Sequence, residues 1–468
     1  MARVRYGISG GLTADQLQVL HGKAVEVLDT VGMEVNSPRA LDYLVGRPGF
    51  RIQGTRVRID PSLVEECVRL CRARGAGVSP TGRGDDEPVL EILSGYPTHF
   101  VSWRGGGMKP INEADLVAMA RLVDALYPRG VRGGAPGVPQ DVHPAIRGIR
   151  AYRIGAEYCR CGGSAPATND EDIEWFYRMD EVMGQPFGLG VFVVNPLRVE
   201  GATFDQLLRL KGKRFPVMVG CMPQMGTSAP ATVMGAFVIG IAATWGSFAM
   251  VREITGHDDI QVECRVWPTS MKTLEIVYGS PESALGDLVL NQLRGFYGWR
   301  GPDADAFHSS ALFPDQQAAA QRAAFGTIMA LAGNRGFRFG GLLGIDLVFS
   351  PEQLLADVET LGYATRVARG FEFSEEAFSL EAIRRVGPSG SFLTDDSTLD
   401  HARDEMWQPD LWSFDSLGSF LAGRTRGNSE KAAERIDALI TGQSWRLDPA
   451  KAKALDEITR AAEAALLS

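Results

Sequence analysis

The chain has 468 residues, of which 45% are hydrophobic and 22% are charged, an ordinary composition for a globular protein. Its net charge is -9 and its isoelectric point is about 5.4, so nucleic-acid binding is not expected. The six cysteines are sparse and irregularly spaced, which argues against a disulfide framework and favours a reducing cytoplasm. The first residues have no apolar core typical of a secretory signal, so we expect a cytoplasmic protein.

The first 111 residues are predicted to form an N-terminal extension. Helical spacing of apolar residues predicts helices at 13–31 and near 37–45. Two short alternating runs around Gly54 predict a hairpin, and Asp60 followed by Pro61 is a typical helix start. Residues 76–89 are typical of an exposed loop, and short strands are expected at 90–112.

Between residues 112 and 370, helical segments alternate with short uncharged runs that are typical of buried parallel strands. Eight strand–helix units predict a (β/α)8 TIM barrel, an α/β fold, while the short gap between the fifth and sixth strands leaves a doubly wound sheet open. Residues 371–468 are expected to form a C-terminal helical appendage. The predicted strands are 131–136, 161–167, 187–194, 215–222, 247–253, 260–267, 303–310 and 336–344. The predicted helices are 112–125, 144–158, 169–183, 204–212, 230–243, 281–297, 315–332 and 351–368.

The uncharged stretch 232–251 is long enough to span a bilayer. It is rich in Gly, Ala and Ser, has Trp245 and Gly246 in its middle, and is the single stretch of its kind. We therefore expect a buried helix, a turn and a buried strand here, and no membrane partner.

Six motifs occur in a characteristic order along nearly the whole chain. They are LTADQLQVLHGKAVEVLDTVGMEV at the N-terminus, GTSAPATVMGAF (226–237), GSPESALGDLVLNQL (279–293), ALFPDQQAAAQ (311–321), LAGNRGFRFGGLLG (331–344) and SFLTDDSTLDHARDEMWQP (391–409). Together they resemble the trimethylamine methyltransferase family. The resemblance implies a (β/α)8 barrel that transfers a methyl group from a methylated amine to the cobalt of a corrinoid on a separate small protein.

One position departs from this family. Founding members have pyrrolysine just before the helix start that resembles PDQQA, and Leu312 stands at that position here. Because leucine cannot form a methylamine adduct, the resemblance implies a relative that demethylates quaternary amines such as glycine betaine. A quaternary nitrogen is already cationic and leaves as a neutral amine, so the site has only to desolvate it and aim one methyl at Co(I).

The candidate site residues follow predicted strands, because barrel active sites lie at the carboxyl ends of their strands. Trp267 and Phe307 are candidate cation–π walls, and plain core packing is the alternative. Arg252 is a candidate partner for a substrate carboxylate and Glu253 a candidate catalytic group; a structural ion pair is the alternative. His308 is a candidate proton donor or acceptor, or a buried core histidine.

Gln224, after the fourth predicted strand, is a further polar candidate for substrate binding, and Leu312, at the position of the family's pyrrolysine, is also a candidate substrate-binding residue. No metal site is expected, because Cys159, Cys161, Cys221 and Cys264 lack the spacing of zinc ligands. The glycine-rich strings do not form a GxGxxG or P-loop motif, so no tightly bound nucleotide is expected.

The resemblance leaves three functions open. The first is a corrinoid-dependent methyltransferase of one-carbon metabolism that acts on a small quaternary amine, with a corrinoid (cobalamin) carrier protein as partner. The second transfers the methyl directly to tetrahydrofolate, or takes it from a sulfonium donor. The third is a non-catalytic barrel that binds a methylated osmolyte. A homo-oligomer is expected in each case.

Overall fold

The computed structural model describes residues 2–75, 87–163, 172–213, 215–299 and 305–468. The helices are α1 (Ala14–Thr30), α2 (Pro38–Leu44), α3 (Pro61–Gly75), α4 (Glu113–Ala125), α5 (Arg147–Tyr158), α6 (Asp172–Met183), α7 (Gly201–Arg209), α8 (Val233–Thr255), α9 (Pro281–Tyr297), α10 (Gln316–Leu331), α11 (Pro351–Arg369), α12 (Leu380–Val386), α13 (Asp396–Glu405), α14 (Leu417–Leu421), α15 (Asn428–Gly442) and α16 (Pro449–Leu466). The strands are β1 (Ala2–Val4), β2 (Met33–Val35), β3 (Phe50–Gln53), β4 (Arg56–Ile59), β5 (Val89–Glu91), β6 (His99–Val101), β7 (Met108–Pro110), β8 (Val131–Arg132), β9 (Leu189–Val193), β10 (Arg198–Val199), β11 (Val217–Cys221), β12 (Gln224–Met225), β13 (Ile260–Cys264), β14 (Trp267–Pro268), β15 (Asp305–Ala306), β16 (Gly336–Arg338), β17 (Leu342–Leu343), β18 (Val348–Phe349) and β19 (Phe371–Phe373).

The helix, helix, hairpin, helix order predicted for the N-terminal residues is confirmed. Thr13 caps α1 through a reciprocal contact with Gln16, and Ser37 caps α2. The hairpin pairs β3 with β4 around Gly54, whose φ of 61° is the left-handed conformation that glycine adopts at little cost. Local signals of this kind depend on a few neighbouring residues, and the sequence therefore contains them in full.

Two groups of parallel strands lie at the centre of the molecule. One has the order β9–β11–β13, and the other has the order β8–β5–β16–β15. The mixed α/β class is confirmed. Strand β5 lies inside the predicted N-terminal extension, yet it pairs with β8 and β16. The three-part division at residues 111 and 370 stays a prediction, and this pairing joins its first two parts.

The prediction of a turn and a strand within 232–251 is wrong, because residues Val233–Thr255 form one continuous helix. Thr232 caps its start and Gly256, with a φ of 70°, ends it. Gly246 lies in the middle of the helix, where a side chain would collide with Met33 and Leu28, so the close packing requires glycine at this position. The helix is apolar on every side since it is buried on nearly every side.

Helix α8 is also the one described segment whose length and composition would allow it to cross a membrane. In the structure 72% of its most apolar window is buried inside the protein. Its partners include α1, α3 and the parallel strands β11 and β13. Helix α8 therefore packs against the strands β9, β11 and β13 and forms the centre of their hydrophobic core.

The parallel strands divide their side chains between two faces. On β9 and β11, Val191 and Val219 are buried against the helices, whereas Phe192 is 49% exposed on the opposite, inward face. On β13, Glu263 and Gln261 share that inward parity. The inward face of the strands therefore holds polar, aromatic and exposed groups, and it positions the candidate site.

Some predictions fall outside the described residues. They are most of the loop at 76–89, the later part of the strand at 161–167, the first residues of the helix at 169–183 and the first residues of the run at 303–310. The remaining predicted barrel helices are confirmed. Helix α9 has the predicted bounds, residues 281–297, and the ends of the other helices are shifted. The C-terminal segment begins with the strand β19, which the sequence did not predict, and continues as helices joined by loops, as expected.

Candidate functional site

An aromatic cluster lies just beyond the carboxyl ends of β13 and β15. The His308 ring is stacked between Tyr278 and Phe339, with centroid distances of 4.1 and 4.0 Å. Trp267 meets both Tyr278 and His308 edge-on, at 4.8 and 5.3 Å. We call Trp267, Tyr278, His308 and Phe339 the aromatic cluster.

A carboxylate lies against this cluster. His308 Nε2 is 3.2 Å from Asp346 Oδ1, and the Tyr278 hydroxyl donates a hydrogen bond of 3.1 Å to Asp346 Oδ2. The angle at the His308 contact is too poor for a hydrogen bond, so both imidazole nitrogens, Asp346 Oδ1 and Trp267 Nε1 are buried without a hydrogen-bond partner in the described chain. Buried polar atoms of this kind are rare, and they mark a place where a ligand or water completes the bonding.

Backbone strain is concentrated at the same place. Phe339, Ile345 and Asp346 have φ values of 74°, 53° and 69°, in the left-handed region that residues other than glycine rarely adopt. Each such residue costs on the order of 1–3 kcal/mol, and residues of this type cluster at functional sites. The strain is therefore a second observation that selects the aromatic cluster and Asp346.

Burial determines the charges of the cluster. It lowers the pKa of His308 despite the opposing attraction of Asp346, so the imidazole is neutral near pH 7. Burial alone would raise the pKa of Asp346, but the contact with His308 and the hydrogen bond from Tyr278 outweigh it and lower that pKa. The pair thus holds a carboxylate beside a neutral ring.

A buried ion network lies beneath the cluster on the inward face. Arg265 donates to Glu263 at 2.7 Å and to Asp287 at 2.8 Å, and Arg338 contacts both Glu263 oxygens at 3.1 Å. Burial opposes ionisation of Glu263, but the two guanidinium groups lower its pKa to about 2. Burial raises the pKa of Asp287 to about 6, although Arg265 opposes this shift.

A cavity of about 820 Å³ follows the inward face of the strands. Phe192 and Met218 form part of one wall, and Phe339 connects the cavity to the aromatic cluster. Arg338 also lines it, with its guanidinium carbon 5.0 Å from the centroid of the Phe339 ring. The cavity therefore combines aromatic and apolar walls with two guanidinium groups, those of Arg132 and Arg338, and with the carboxylates of Glu91 and Asp180.

Three of the residues predicted from the sequence lie at this edge. Trp267 and His308 belong to the aromatic cluster, and Gln224 pairs with Trp267 in the ladder of β12 and β14. Leu312 lies in the loop before α10, where a side chain at Gly344 would meet it at 3.5 Å. It therefore neighbours the loop that carries Asp346. The roles predicted for these residues stay predictions.

The prediction that Phe307 faces the site is wrong. Its side chain is 0% exposed and packs against Phe325 and Phe337 in the helix-facing core. Phe307 therefore packs in the core, whereas the adjacent His308 lies in the aromatic cluster.

The prediction that Arg252 and Glu253 follow a strand is also wrong. Both lie in the last turns of α8, which returns to the amino end of β13. Arg252 pairs with Asp258 at 2.8 Å and Glu66 at 3.1 Å, and Glu253 lies 3.5 Å from Arg47. They form ion pairs at the edge opposite the aromatic cluster.

The sequence reasoning missed Tyr278, Phe339, Asp346, Arg338 and Glu263. One signal was present, because Arg338 and Phe339 stand in the predicted strand 336–344 and Tyr278 just precedes the Ser280 cap of α9. Asp346 lies in a loop, and no signal in the sequence predicts the strained backbone of that loop.

Five of the six cysteines are buried. Cys221 and Cys264 are directly paired across β11 and β13 and are buried, and the Cys159 thiol donates to the Ala120 carbonyl. All six cysteines are free. Among the described residues, no group of three or more His, Cys, Asp or Glu side chains has an arrangement that could hold a metal ion.

The chain is similar to methyltransferases of known activity. The chain is 23% identical over 419 residues to the glycine betaine methyltransferase of Desulfitobacterium hafniense (strain Y51), which covers 86% of each chain. It is 24% identical over 457 residues to the trimethylamine methyltransferase MttB of Methanosarcina barkeri, covering 92% of this chain and 90% of the relative.

A crystal structure of the monomethylamine methyltransferase MtmB of Methanosarcina barkeri has a similar fold, with a TM-score of 0.50 and 13% identity. The likeness covers 93% of this chain and 89% of MtmB. The sequence pattern of the trimethylamine methyltransferase (MTTB) family matches residues 179–465, more than half of the chain. The resemblance indicated by the motifs is confirmed, and the chain belongs to the trimethylamine methyltransferase (MTTB) family.

Proposed function

We propose that this protein demethylates a small quaternary amine of the glycine betaine kind and passes the methyl group to the Co(I) of a corrinoid on a separate carrier protein. The observation that carries the proposal is the cavity, which joins aromatic walls to the Arg338 guanidinium at the carboxyl ends of the strands. The relatives named as glycine betaine and trimethylamine methyltransferases support the same class of reaction.

Phe192 and Phe339 suit a quaternary ammonium group. Aromatic faces attract such a cation by about 0.5–2 kcal/mol per ring, and they cost it little since it has no hydrogen bonds to lose. Asp346 adds a negative charge behind Phe339, across the His308 ring. Arg338, instead of the predicted Arg252, is then the partner of a substrate carboxylate.

The proposed reaction requires that the substrate is positioned, and it requires no proton transfer. When the C–N bond breaks, its electron pair stays on nitrogen, and a neutral tertiary amine leaves. The residues of the cavity hold the ammonium out of water and direct one methyl toward the mouth. A corrinoid bound at the mouth would supply a Co(I) nucleophile, to which the methyl group would pass as the neutral amine leaves.

The rim of the site fits a large apolar acceptor. Met222, Met271 and Leu312 follow strands β11, β14 and β15, and each exposes about half of its side chain or more. Flexible methionine side chains adapt to irregular apolar surfaces. These three residues would contact the macrocycle or its carrier when it docks.

We also propose that the two strand groups close into the eight-stranded barrel. Glu263 of β13 and Arg338 of β16 join the groups through the ion network. A side chain at Gly134, just after β8, would lie 3.5 Å from the Cα of Gly162, which puts residues 161–163 beside β8 in the place of the remaining strand. An experimental structure with a free edge at β13 would contradict this closure.

The test is methyl transfer from a panel of amines to Co(I) cobalamin, followed by the change in cobalamin absorbance. We expect turnover with one or more quaternary amines and none with trimethylamine, because Leu312 cannot form an adduct. Binding of a betaine without turnover, with every acceptor supplied, would favour a binding protein over an enzyme. Faster turnover of trimethylamine than of every quaternary amine would contradict the argument from Leu312.

A further inference from the structure

Two glycines interrupt the apolar pattern of the central parallel strands. Gly190 of β9 and Gly220 of β11 both lie within the strand ladder, where Gly190 pairs with Met218 and Gly220 pairs with Phe192. Neither is among the residues with positive φ, so the backbone conformation at these positions is open to any residue. Glycine weakens a strand interior, and it commonly marks a place where another group approaches the backbone closely. Space, and not conformation, therefore explains the two glycines.

The Phe192 ring fills the space above both glycines. A Cβ atom at Gly190 would lie 2.7 Å from Cε2 of the ring, and a Cβ atom at Gly220 would lie 2.6 Å from Cε1. Side chains stand roughly perpendicular to a sheet, and these two contacts come from adjacent strands to opposite edges of the ring. The ring therefore lies flat on the sheet, with one face on the glycine backbone. We call this arrangement of Gly190, Gly220 and Phe192 the ring seat.

The other face of the ring is open to the cavity. Phe192 is 49% exposed, although its neighbours Val191 and Val193 are buried, and it lines the cavity of about 820 Å³. The face of an aromatic ring carries the negative part of its quadrupole, and the edge carries the positive part. The ring seat therefore presents to the cavity the part of the ring that attracts a cation.

Charged groups continue the same row across the sheet. On the other side of Gly220, the register of β11 and β13 places Glu263 directly beside it. Arg338 in turn contacts both Glu263 oxygens at 3.1 Å. The order from β9 onward is thus ring, carboxylate, guanidinium. One layer of the strands therefore holds a place for a cationic group and a place for an anionic group.

From these observations we propose that Gly190 and Gly220 are specificity-determining residues, because they hold the Phe192 ring flat so that its face binds the quaternary ammonium group of the substrate. This inference deepens the function proposed above and rests on its substrate class. A side chain at either glycine would push the ring off the sheet and turn its face away from the cavity. The site would keep an apolar wall there, but it would lose preference for a positive charge over a neutral group of the same shape.

The test compares the binding of two ligands that have the same shape. Glycine betaine and 3,3-dimethylbutanoate share a carboxylate, and they differ by a cationic nitrogen in place of a neutral carbon. We expect calorimetry to show that the wild-type protein prefers glycine betaine. Phe192→Leu, which retains an apolar wall, should lower that preference by about 2- to 30-fold, the attraction of one ring face. Gly220→Ala should lower it to the same extent, although the ring is still present.

Gly22→Ala is the matched control for the glycine substitution. It makes the same change in α1, where a side chain would meet no atom of the described chain within 4 Å. Its preference for glycine betaine should equal that of the wild-type protein. Equal affinity of the wild-type protein for the two ligands, binding of neither, or an unchanged preference in folded Gly220→Ala would overturn the proposal.

Thermal melts of a double variant test the ring seat without any ligand. Gly220→Ala should lower the melting temperature when Phe192 is present, because the added methyl group collides with the ring. In the Phe192→Ala background the same substitution should lower it little. Equal losses in the two backgrounds would overturn the ring seat. If Gly220→Ala alone does not fold, a folded double variant supports the seat, and an unfolded one beside folded Phe192→Ala overturns it.

None of these measurements requires a corrinoid or turnover. Failure of methyl transfer with every acceptor, in a protein that keeps its preference for glycine betaine, would contradict the proposed reaction and leave this inference standing. Turnover of glycine betaine by a protein that binds the two ligands equally would contradict this inference and leave the proposed reaction standing.

Discussion

The two edges of the parallel strands hold similar residue types in opposite conditions. At the carboxyl edge, His308 and Asp346 are buried, and three of their four polar side-chain atoms lack a hydrogen-bond partner in the described chain. At the amino edge, Arg252 and Glu253 are partly exposed, and each has an ion-pair partner on another element. The carboxyl edge thus has polar atoms without hydrogen-bond partners and a strained backbone, whereas the charged side chains at the amino edge are paired.

This difference separates function from structure more clearly than residue type does. A partly exposed ion pair satisfies its own charges and stabilises the fold by about 0–1 kcal/mol. A buried polar atom without a partner costs about 1–3 kcal/mol, and the rest of the fold must offset that cost. We infer that the carboxyl edge tolerates the cost because a ligand completes its contacts.

The largest effect should come from the ion network below the aromatic cluster. Glu263→Ala removes the carboxylate shared by the buried Arg265 and the partly buried Arg338, and among the described residues of this network Arg265 keeps only Asp287 as an ion-pair partner. Loss of one partner from a buried network should lower the free energy of unfolding by about 5 kcal/mol, the upper end for a single buried pair. Chemical denaturation measures this loss.

The matched control for that variant is Glu253→Ala at the amino edge. Its contact with Arg47 is 3.5 Å and partly exposed, so the free energy of unfolding should fall by about 1 kcal/mol or less. Equal losses in the two variants would remove the distinction between the edges.

Phe307→Ala should have the next largest effect, and it should act on stability alone. The side chain is fully buried among Phe325 and Phe337, so its removal should cost about 3–5 kcal/mol. Activity per folded molecule should be unchanged because the ring faces the helices. A change in kcat/KM without a lower melting temperature would return Phe307 to the site.

Phe307 and His308 also show what the sequence could predict. The strand end and the helix start at Asp315 followed from the sequence, since caps and apolar runs are local signals. Which of two adjacent residues joins the aromatic cluster depends on the register of β15 beside β16, and the sequence of one strand does not contain that register. The predicted place in the chain was therefore correct for both residues, and the site role of His308 stays a prediction.

Helix α8 shows a second limit. An element that is buried on all sides loses the periodicity that distinguishes a helix from a strand, because every position is apolar. Because of this error, Arg252 and Glu253 were predicted at the carboxyl edge of the strands, whereas they lie at the amino edge. Asp346 was missed for another reason, since its contact with His308 joins two loops that are distant in the chain.

His308→Ala should reduce activity more than stability. The substitution removes the ring that supports Phe339 and the neighbour of Asp346, so the cavity wall and its charge both lose their positions. Loss of about 1–3 kcal/mol of transition-state binding corresponds to a decrease in kcat/KM of about 5- to 150-fold. Thermal melts run beside the kinetics, with Phe307→Ala as the opposite case, would separate the two roles. An unchanged kcat/KM in folded His308→Ala protein would exclude His308 from the site.

The same residue predicts a dependence of stability on pH. Burial lowers the pKa of His308 below that of an unfolded histidine, about 6.5. Below that pH the unfolded chain binds a proton at His308 more readily than the folded protein does. Stability should therefore be complete above about pH 6.5 and fall as the pH decreases, by at most about 1.4 kcal/mol per pH unit from this group. His308→Gln should remove that part of the slope, measured by urea denaturation at several pH values, while His401→Gln, at an exposed position, should keep it. A wild-type slope in His308→Gln would show that another group controls it.

The smallest effect should be that of Arg252→Ala, and it tests the comparison from the other edge. Arg252 pairs with Asp258 and Glu66, both of which are more exposed than Arg252 itself. Their charges return to water when the guanidinium is removed, so the free energy of unfolding should fall by about 0–1 kcal/mol. Because the carboxyl edge lies at the far end of α8 and β13, kcat/KM should stay within about twofold of the wild-type value, against the 5- to 150-fold decrease for His308→Ala. Loss of activity in Arg252→Ala as large as in His308→Ala, in protein of wild-type stability, would place the substrate at the amino edge and restore the function first predicted for Arg252.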